Sequence, residues 1–396
     1  MTPNGLKRGG RRHSGNSAFG PNQQPDLPRS LFYGHAPPTD DDCYSDNTRR
    51  SQASMAPNEA ADAPLEQTRI SISDASELCQ QALLKAGYTS EQSAIITDHL
   101  IDAELRGHPF AGLARALSII EYLERNPDMQ PQAKGIEVTR DGLAFAHLDG
   151  HDSVGYLVAR QATQMAISKA KTTGVSVVGA SGLWYTGNLA YYSEMASRQG
   201  LVTFIASNGT PIVAPHGGAE AKFCTNPFCI GFPTSDRDLP VIWDIGTSNI
   251  MYAQVKLAER LAASLPEGSA VDKEGHLTTD PLKALEGALT VWGGYKGSGL
   301  AMMVQLLGIA AGSSEPTAFL SGFGFLIVAF DPSVLQPLDR VQQDADQFCE
   351  NIRATKMLPG YRSARMPFER SAKARREAKE RGWFLVPEEV IQQLKR

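Results

Sequence analysis

From about residue 135 onward, short apolar runs alternate with stretches of helical spacing, and that alternation restricts the chain to a layered α/β arrangement. Ala144–Leu148 reads as a strand ahead of a turn at Asp149-Gly150. Val154–Thr172 places Val158, Ala162, Met165, Ala166 and Ala170 at helical spacing, Gly174 ends it, and Val175–Val178 reads as a buried strand. A helix over Asn188–Gln199 closes at Gly200. Leu201–Ala206, Phe228–Phe232 and Val241–Asp244 supply three more strands. Lys296–Ala311 is a helix opening from Gly293-Gly294-Tyr295-Lys296-Gly297, and Phe323–Phe330 is the last strong strand.

The flanks have a different texture. Residues 1–66 are rich in Gly, Pro, Ser, Asn, Arg and Asp without hydrophobic period and read as a disordered tail. Its basic cluster Lys7, Arg8, Arg11 and Arg12 reads as solvated, and Asp40–Asp42 argue against a transit peptide. Residues 67–134 form a helical region. Ser73 can cap a first helix ended by Gly87, Thr89 and Gln92 make a capping-box pattern for a second, and Pro109 opens a third carrying Leu113, Leu117, Ile120 and Leu123. Residues 135–330 are then the α/β domain, and 331–396 a charged helical region expected to pack with the N-terminal helices.

Several function classes are excluded or disfavoured. The 396 residues, 42% hydrophobic, suffice for a large core, and the net charge of -5 offers no phosphate-binding surface for nucleic acid. No apolar run approaches the roughly 20 residues that span a bilayer. Cys43, Cys79, Cys224, Cys229 and Cys349 have no zinc-ligand spacing, and with no apolar signal segment they point to a reducing, cytoplasmic compartment. His99, His147, His151, His216 and His276 form no ligand pattern, so no metal site is expected. No GxGxxG follows the first strand, which removes support for a doubly wound nucleotide domain; the nearest glycine cluster, Gly293–Gly299, opens a helix whose N–H groups and Lys296 can hold a phosphate.

Several segments nevertheless fall into one order: Trp184-Tyr185-Thr186-Gly187, Pro215-His216-Gly217-Gly218, Thr225-Asn226-Pro227, Asp244-Ile245-Gly246-Thr247-Ser248, Gly294-Tyr295-Lys296-Gly297 and Arg365-Met366-Pro367-Phe368-Glu369-Arg370. In that order, over residues 70–396, the chain resembles the type-2 malate/L-lactate dehydrogenase family. The resemblance implies a mixed-sheet NAD- or NADP-binding α/β domain that is not a Rossmann fold, a helical N/C-terminal region, and a homodimer acting on a small carboxylate. It places Tyr185, Thr186, Gly187, Asn188 and Leu189 on one cofactor-contacting stretch and Asp244, Gly246, Thr247 and Ser248 on another. It also sets Lys296 near the cofactor and Met366, Pro367 and Glu369 on a loop closing over the nucleotide. Read alone, Asp244–Ser248 is equally an ordinary strand-to-loop turn and Tyr185 a packed aromatic.

The chain departs from the family pattern where the chemistry should be. The motif with Ser-His runs here Arg106-Gly107-His108-Pro109-Phe110-Ala111-Gly112-Leu113-Ala114-Arg115, so Phe110 stands for the serine and Ala111 for the catalytic histidine. A second histidine is replaced by Tyr185, and glycines by Cys224 and Phe368. The region after Leu307, around Ser313–Leu320, is shorter than usual. Ala111 donates no proton, which leaves two candidates. His108 reaches the same volume if both residues share one helical turn, and its ordinary pKa suits proton exchange. Tyr185 serves as donor, given a cation such as Lys296 to lower its pKa. Arg115 fits a bidentate clamp on a substrate carboxylate. Against these stand a capping role for His108 and a surface role for Arg115.

These readings lead to an NAD(P)-dependent oxidoreductase interconverting a small 2-hydroxy acid and 2-oxo acid. The alternatives are a cyclic ketimine or biosynthetic tailoring reductase and, from another class, a catalytically inactive cofactor-binding paralogue.

Overall fold

The computed structural model describes residues 67–129, 131, 134–315, 317 and 319–396; the expected tail, its basic cluster and Cys43 lie outside them. β1 (Gln67–Ser71) runs straight into α1 (Ile72–Lys85). Ser71 rather than Ser73 caps this helix, accepting from the Asp74 N–H at 3.0 Å. α2 (Ser90–Leu105) opens on the expected capping box, with Gln92 N–H donating to Thr89 Oγ1 at 3.1 Å and Thr89 N–H to Gln92 Oε1 at 3.0 Å.

The third helix, α3 (Leu113–Arg125), starts four residues later than Pro109 predicts, after a 3-10 turn over Pro109–Ala111. Glu104 sets that start. Its Oε1 accepts from the Leu113 N–H at 2.7 Å, and a Cβ on Gly112 would lie 2.2 Å from the same oxygen. A carboxyl from the end of one helix thus caps the next, across a glycine where a larger residue would have to displace the Glu104 side chain from this cap.

The remaining elements follow as β2 (Glu137–Asp141), β3 (Phe145–Val154), α4 (Gly155–Thr173), β4 (Val175–Trp184), α5 (Leu189–Ser197), β5 (Val202–Ser207), β6 (Phe228–Phe232) and β7 (Val241–Ile245). After them come α6 (Tyr252–Arg260), β8 (Ala270–Val271), α7 (Pro281–Glu286), β9 (Ala288–Leu289), α8 (Gly294–Ala310) and β10 (Phe323–Phe330). The chain finishes with α9 (Leu338–Arg353), α10 (Glu369–Arg381), β11 (Trp383–Pro387) and α11 (Glu388–Lys395).

Seven strands form one mixed sheet in the order β2-β3-β4-β10-β5-β6-β7. Only β3 and β4 run parallel, joined by the α4 crossover; the other pairs are antiparallel. This is the mixed α/β architecture expected, not a doubly wound sheet. One detail differs. Asp149-Gly150 lies inside β3 instead of ending it. Gly150 allows β3 to approach β4 so closely that a Cβ would meet Gly182 O at 2.5 Å. His151 (φ 48°) and Asp152 (φ 56°) then form a bulge, across which the register passes from Asp149↔Ser181 to Ser153↔Leu183.

Leu148, Val158, Ala162, Ala166, Val178, Phe325 and Ile327 are buried between α4 and the sheet. A smaller cluster around Val213, Val255, Ala270, Leu289 and Ala301 underlies the β8–β9 ribbon. The 331–396 segment carries a strand that helical texture did not announce: β11 pairs antiparallel with β1, from Gln67↔Pro387 to Ser71↔Trp383. A buried ion network adds to this closure. Arg375 on α10 reaches Asp102 on α2 at 3.0 Å and Glu194 on α5 at 2.5 Å, and Arg106 bonds both carboxylates.

Candidate active site

A cavity of about 120 Å³ opens where the α2–α3 turn, the β4–α5 loop, the end of β5 and the N-terminus of α6 meet the segment before β10. The β4–α5 loop bends sharply, with Tyr185 (φ 54°) and Gly187 (φ 70°) both left-handed. His99 on α2 shapes this bend. Its Nε2 accepts from the Asn188 N–H at 3.0 Å, and a Cβ on Gly187 would lie 2.4 Å from that nitrogen and 2.4 Å from Tyr156 Cε1. Only glycine lets the loop lie on the ring pair. Burial pushes the His99 pKa down to about 3, so the ring is neutral. The accepting Nε2 assigns the proton to Nδ1, which has no partner.

Arg115 stands in the first turn of α3, only 8% exposed, with its guanidinium carbon 4.3 Å from the centre of the Tyr185 ring. Its Nη1 is buried without a hydrogen-bond partner. It is the one charged side chain among the described residues lining the cavity. Tyr185 sits under it. Burial raises the phenol's pKa, and the opposing charge of Arg115 does not reverse that direction. The sequence argument required a lowered pKa and looked to Lys296; the cation at hand is Arg115, and the phenol keeps its proton.

His108 does not line the cavity, whereas Phe110 and Ala111 do. The shared-face argument assumed one helical turn, but His108 (φ −116°, ψ 65°) precedes the 3-10 turn outside helical space. Burial and the positive charges of Arg370 and Arg106 press its pKa down to about 4, so at neutral pH it carries no proton to give as an imidazolium.

Thr186, Gly187 and Asn188 line the cavity beside Tyr185, while Leu189 is fully buried at the head of α5. Asp244 turns to α5 as a cap, its Oδ2 accepting from the Ala190 N–H at 2.7 Å. Thr247 donates its N–H (2.8 Å) and Oγ1 (3.0 Å) to the carbonyl of Thr225, a cavity residue, and accepts from the Trp292 N–H at 2.9 Å. Ser248 bridges Val291, and Gly246 lies so close to Met251 that a Cβ would meet its sulfur at 2.5 Å. The acidic strand end and the glycine-rich turn before Lys296 are therefore fastened to each other and to the cavity wall.

Lys296 itself is exposed and lines no part of the cavity. Met366, Pro367 and Glu369 also lie off it. The Met366 N–H donates to Glu369 Oε2 at 3.0 Å, Glu369 pairs with Arg353 at 2.5 Å, and Phe368 (φ 79°) stacks under Arg106 at 4.6 Å. Sequence reasoning missed Asn208, Tyr252 and Phe319 on the cavity wall, and His99 as the loop's anchor. The signal for His99 was its place among apolar residues on the helix that leads to the Arg106–Arg115 motif.

Residues 70–395 match a family model described as malate/L-lactate dehydrogenase. The chain belongs to the malate/L-lactate dehydrogenase family. It is 31% identical over 328 residues to an L-sulfolactate dehydrogenase of Methanocaldococcus jannaschii, covering 81% of this chain and 93% of that protein. It is 27% identical over 341 residues to a Δ1-pyrroline-2-carboxylate/Δ1-piperideine-2-carboxylate reductase of Pseudomonas putida, covering 83% of this chain and 96% of the other. The solved structure of a dehydrogenase from Sinorhizobium meliloti superposes with a TM-score of 0.74 at 27% identity, over 84% of this chain and 98% of that one. The family expected from the order of the motifs is the family matched.

Proposed function

We propose that this member is a pyridine-nucleotide-dependent oxidoreductase interconverting a 2-hydroxy acid and its 2-oxo counterpart, with Arg115 holding the carboxylate and Tyr185 handling the proton. The observation that carries this reading is the buried, unpartnered Nη1 of Arg115 beside a protonated phenol. A guanidinium at that depth leaves a desolvated donor unsatisfied until an anion arrives. A substrate carboxylate on Arg115 sets its 2-carbon within the volume that Tyr185 lines. In the reducing direction the Tyr185 O–H donates to the developing oxyanion, and Arg115 stabilises the phenolate until solvent returns a proton. A phenol with a raised pKa is protonated at neutral pH, the form that reduction needs. His108, neutral and off the cavity, has no part in the step.

The nicotinamide cofactor, NAD or NADP, supplies or accepts the hydride when bound. The chain's residues fit such a group. Gly293 caps α8 without a side-chain bond, so its first N–H groups and the exposed Lys296 suit a phosphate. The tied Asp244–Ser248 turn, the Thr186–Asn188 loop and Leu189 would hold the remainder, with Met366, Pro367 and Glu369 closing from α10. The same reading includes a homodimer in the cytoplasm; the exposed Met302, Met303 and Leu306 on α8 support the self-association.

A cyclic ketimine carboxylate is the second reading. The apolar wall of Phe110 and Ala111, where the family motif has Ser-His, favours a substrate that asks less of an oxygen-directed acid. Following NADH and NADPH oxidation with a panel of 2-oxo acids and a cyclic ketimine carboxylate tests both. Turnover with a 2-oxo acid supports the first reading. Absence of turnover with every member at high enzyme concentration overturns the proposal.

A further inference from the structure

The cavity is unevenly equipped. Arg115 alone among its described lining residues carries a charge, and much of the remaining lining is apolar, including Phe110, Ala111, Ile212, Phe319, Leu320 and Phe323. The other polar groups on the wall are neutral, and several are engaged by the protein. Ser207 Oγ donates to Gly324 O at 3.0 Å, Asn208 bonds Ser313 Oγ and the Gly324 N–H at 2.7 Å each, and Thr210 Oγ1 accepts from the Leu320 N–H at 3.0 Å. Arg106 and Arg260 do not line the cavity and pair with carboxylates, Arg106 with Asp102 and Glu194 and Arg260 with Glu121 at 2.6 Å.

We propose that the site selects acids with a single negative charge and an apolar remainder, and discriminates against dicarboxylates and sulfo-carboxylates. This rests on the oxidoreductase reading above. An acid of the malate or sulfolactate type brings two anions. Arg115 pairs with the first, and the second meets a lining rich in aromatic and aliphatic carbon that holds no further cation among the described residues to offset its desolvation. A branched or aryl side chain gains by burial against the same carbon. Phe319 lines the cavity and is 60% exposed, so it is the lining residue chosen to carry a second cation.

The test compares phenylpyruvate and 4-methyl-2-oxopentanoate with oxaloacetate and sulfopyruvate, by kcat/KM with each reduced coenzyme and by ligand-induced thermal shift. The expected result is a preference of about 100-fold or more for the two singly charged acids, equivalent to two decades in affinity, and a larger thermal shift with them. Phe319→Arg should narrow that preference by about 10-fold or more, by giving the second anion a partner. Oxaloacetate or sulfopyruvate used and bound as well as phenylpyruvate overturns the proposal, as does a preference that Phe319→Arg leaves unchanged. If no acid is turned over, the oxidoreductase reading fails on its own account. The thermal-shift ranking then still decides whether the pocket prefers one charge or two.

Discussion

Replacing Arg115 with methionine separates a ligand-binding role from a structural one, because the two roles predict opposite outcomes. In the free protein the guanidinium is a mixed asset. Its buried Nη1 lacks a partner, a penalty of about 1–3 kcal/mol. Its stacking on Tyr185 at 4.3 Å returns about 0.5–2 kcal/mol. Methionine keeps the apolar stem and removes both effects, so the net change in folding stability is expected within about 2 kcal/mol of zero. For a chain of this size that is a Tm shift of about 5 °C or less. With substrate the balance differs. Removing the partner of a buried carboxylate costs about 2–5 kcal/mol, which is a loss of about 30-fold to a few thousand-fold in affinity. The assays are thermal melts of both proteins without and with a 2-oxo acid, and KM by coenzyme oxidation. Arg115→Met should melt close to the parent alone and lose the ligand-induced rise. A Tm fall of 10 °C or more with KM unchanged would refute the reasoning and make Arg115 a structural residue.

Three further outcomes are expected. Tyr185→Phe keeps the ring and its stacking but removes the proton donor, so kcat should fall by about 100-fold or more with KM nearly unchanged, as steady-state kinetics will show. His99, with its pKa pressed to about 3 by burial against an ordinary 6.5, binds its proton more readily unfolded than folded. Its contribution to stability is therefore complete above pH 6.5 and is lost as pH falls toward 3, at up to about 1.4 kcal/mol per pH unit. Urea melts of His99→Gln between pH 7 and pH 4 should show a correspondingly flatter acid limb, and equal slopes would remove His99 as the cause. Glu104 has the opposite sign. Burial raises its pKa to about 8 from an ordinary 4.5. The folded state holds that proton, so the stability it confers is complete below pH 4.5 and is lost as pH rises through 8. Glu104→Gln should leave stability at pH 4 unchanged and lessen its loss between pH 5 and pH 8 in the same melts.

Six of the sheet's seven strands were legible because they announce themselves by apolar runs, whereas β2, exposed throughout and charged, gave no such signal. Phe228–Phe232 and Phe323–Phe330 stand where periodicity put them. Misreadings fell where a long-range contact overrides a local signal. Asp149-Gly150 has turn chemistry, yet the glycine serves strand proximity to Gly182, a residue 32 positions later. Pro109 is a good helix opener, but the carboxyl of Glu104 moves the start to Leu113. β11 carries no alternating pattern of its own and becomes a strand only because β1 pairs with it. At the site, the order of the motifs brought Arg115, Tyr185, Thr186, Gly187 and Asn188 to one cavity. His108 went astray because spacing in sequence was taken as shared direction, which fails outside helical φ/ψ.

The departures from the family pattern also bear on whether the site is altered or abandoned. Phe110, Ala111, Tyr185 and Cys224 are separated by up to 114 positions in sequence, and all four line the same cavity. Phe368, the other departure, lies off it but adopts the left-handed backbone that suits a glycine, at φ 79°, with its ring stacked on Arg106. A site released from ligand binding gains stability by losing its buried, unpartnered guanidinium, since a methionine or leucine there removes an unsatisfied donor. This chain keeps Arg115, stacks it on the Tyr185 phenol, and lines the same cavity with apolar carbon. In the empty protein the stacking offsets only part of the cost of the unpartnered guanidinium, and the arrangement becomes favourable around a singly charged acid with an apolar side chain. That combination favours a repurposed active site over an inactive paralogue. The two part on one observation: an inactive paralogue binds coenzyme with an affinity indifferent to Arg115→Met and to added acid, whereas a repurposed enzyme binds acid and reduced coenzyme cooperatively and loses that coupling in the variant.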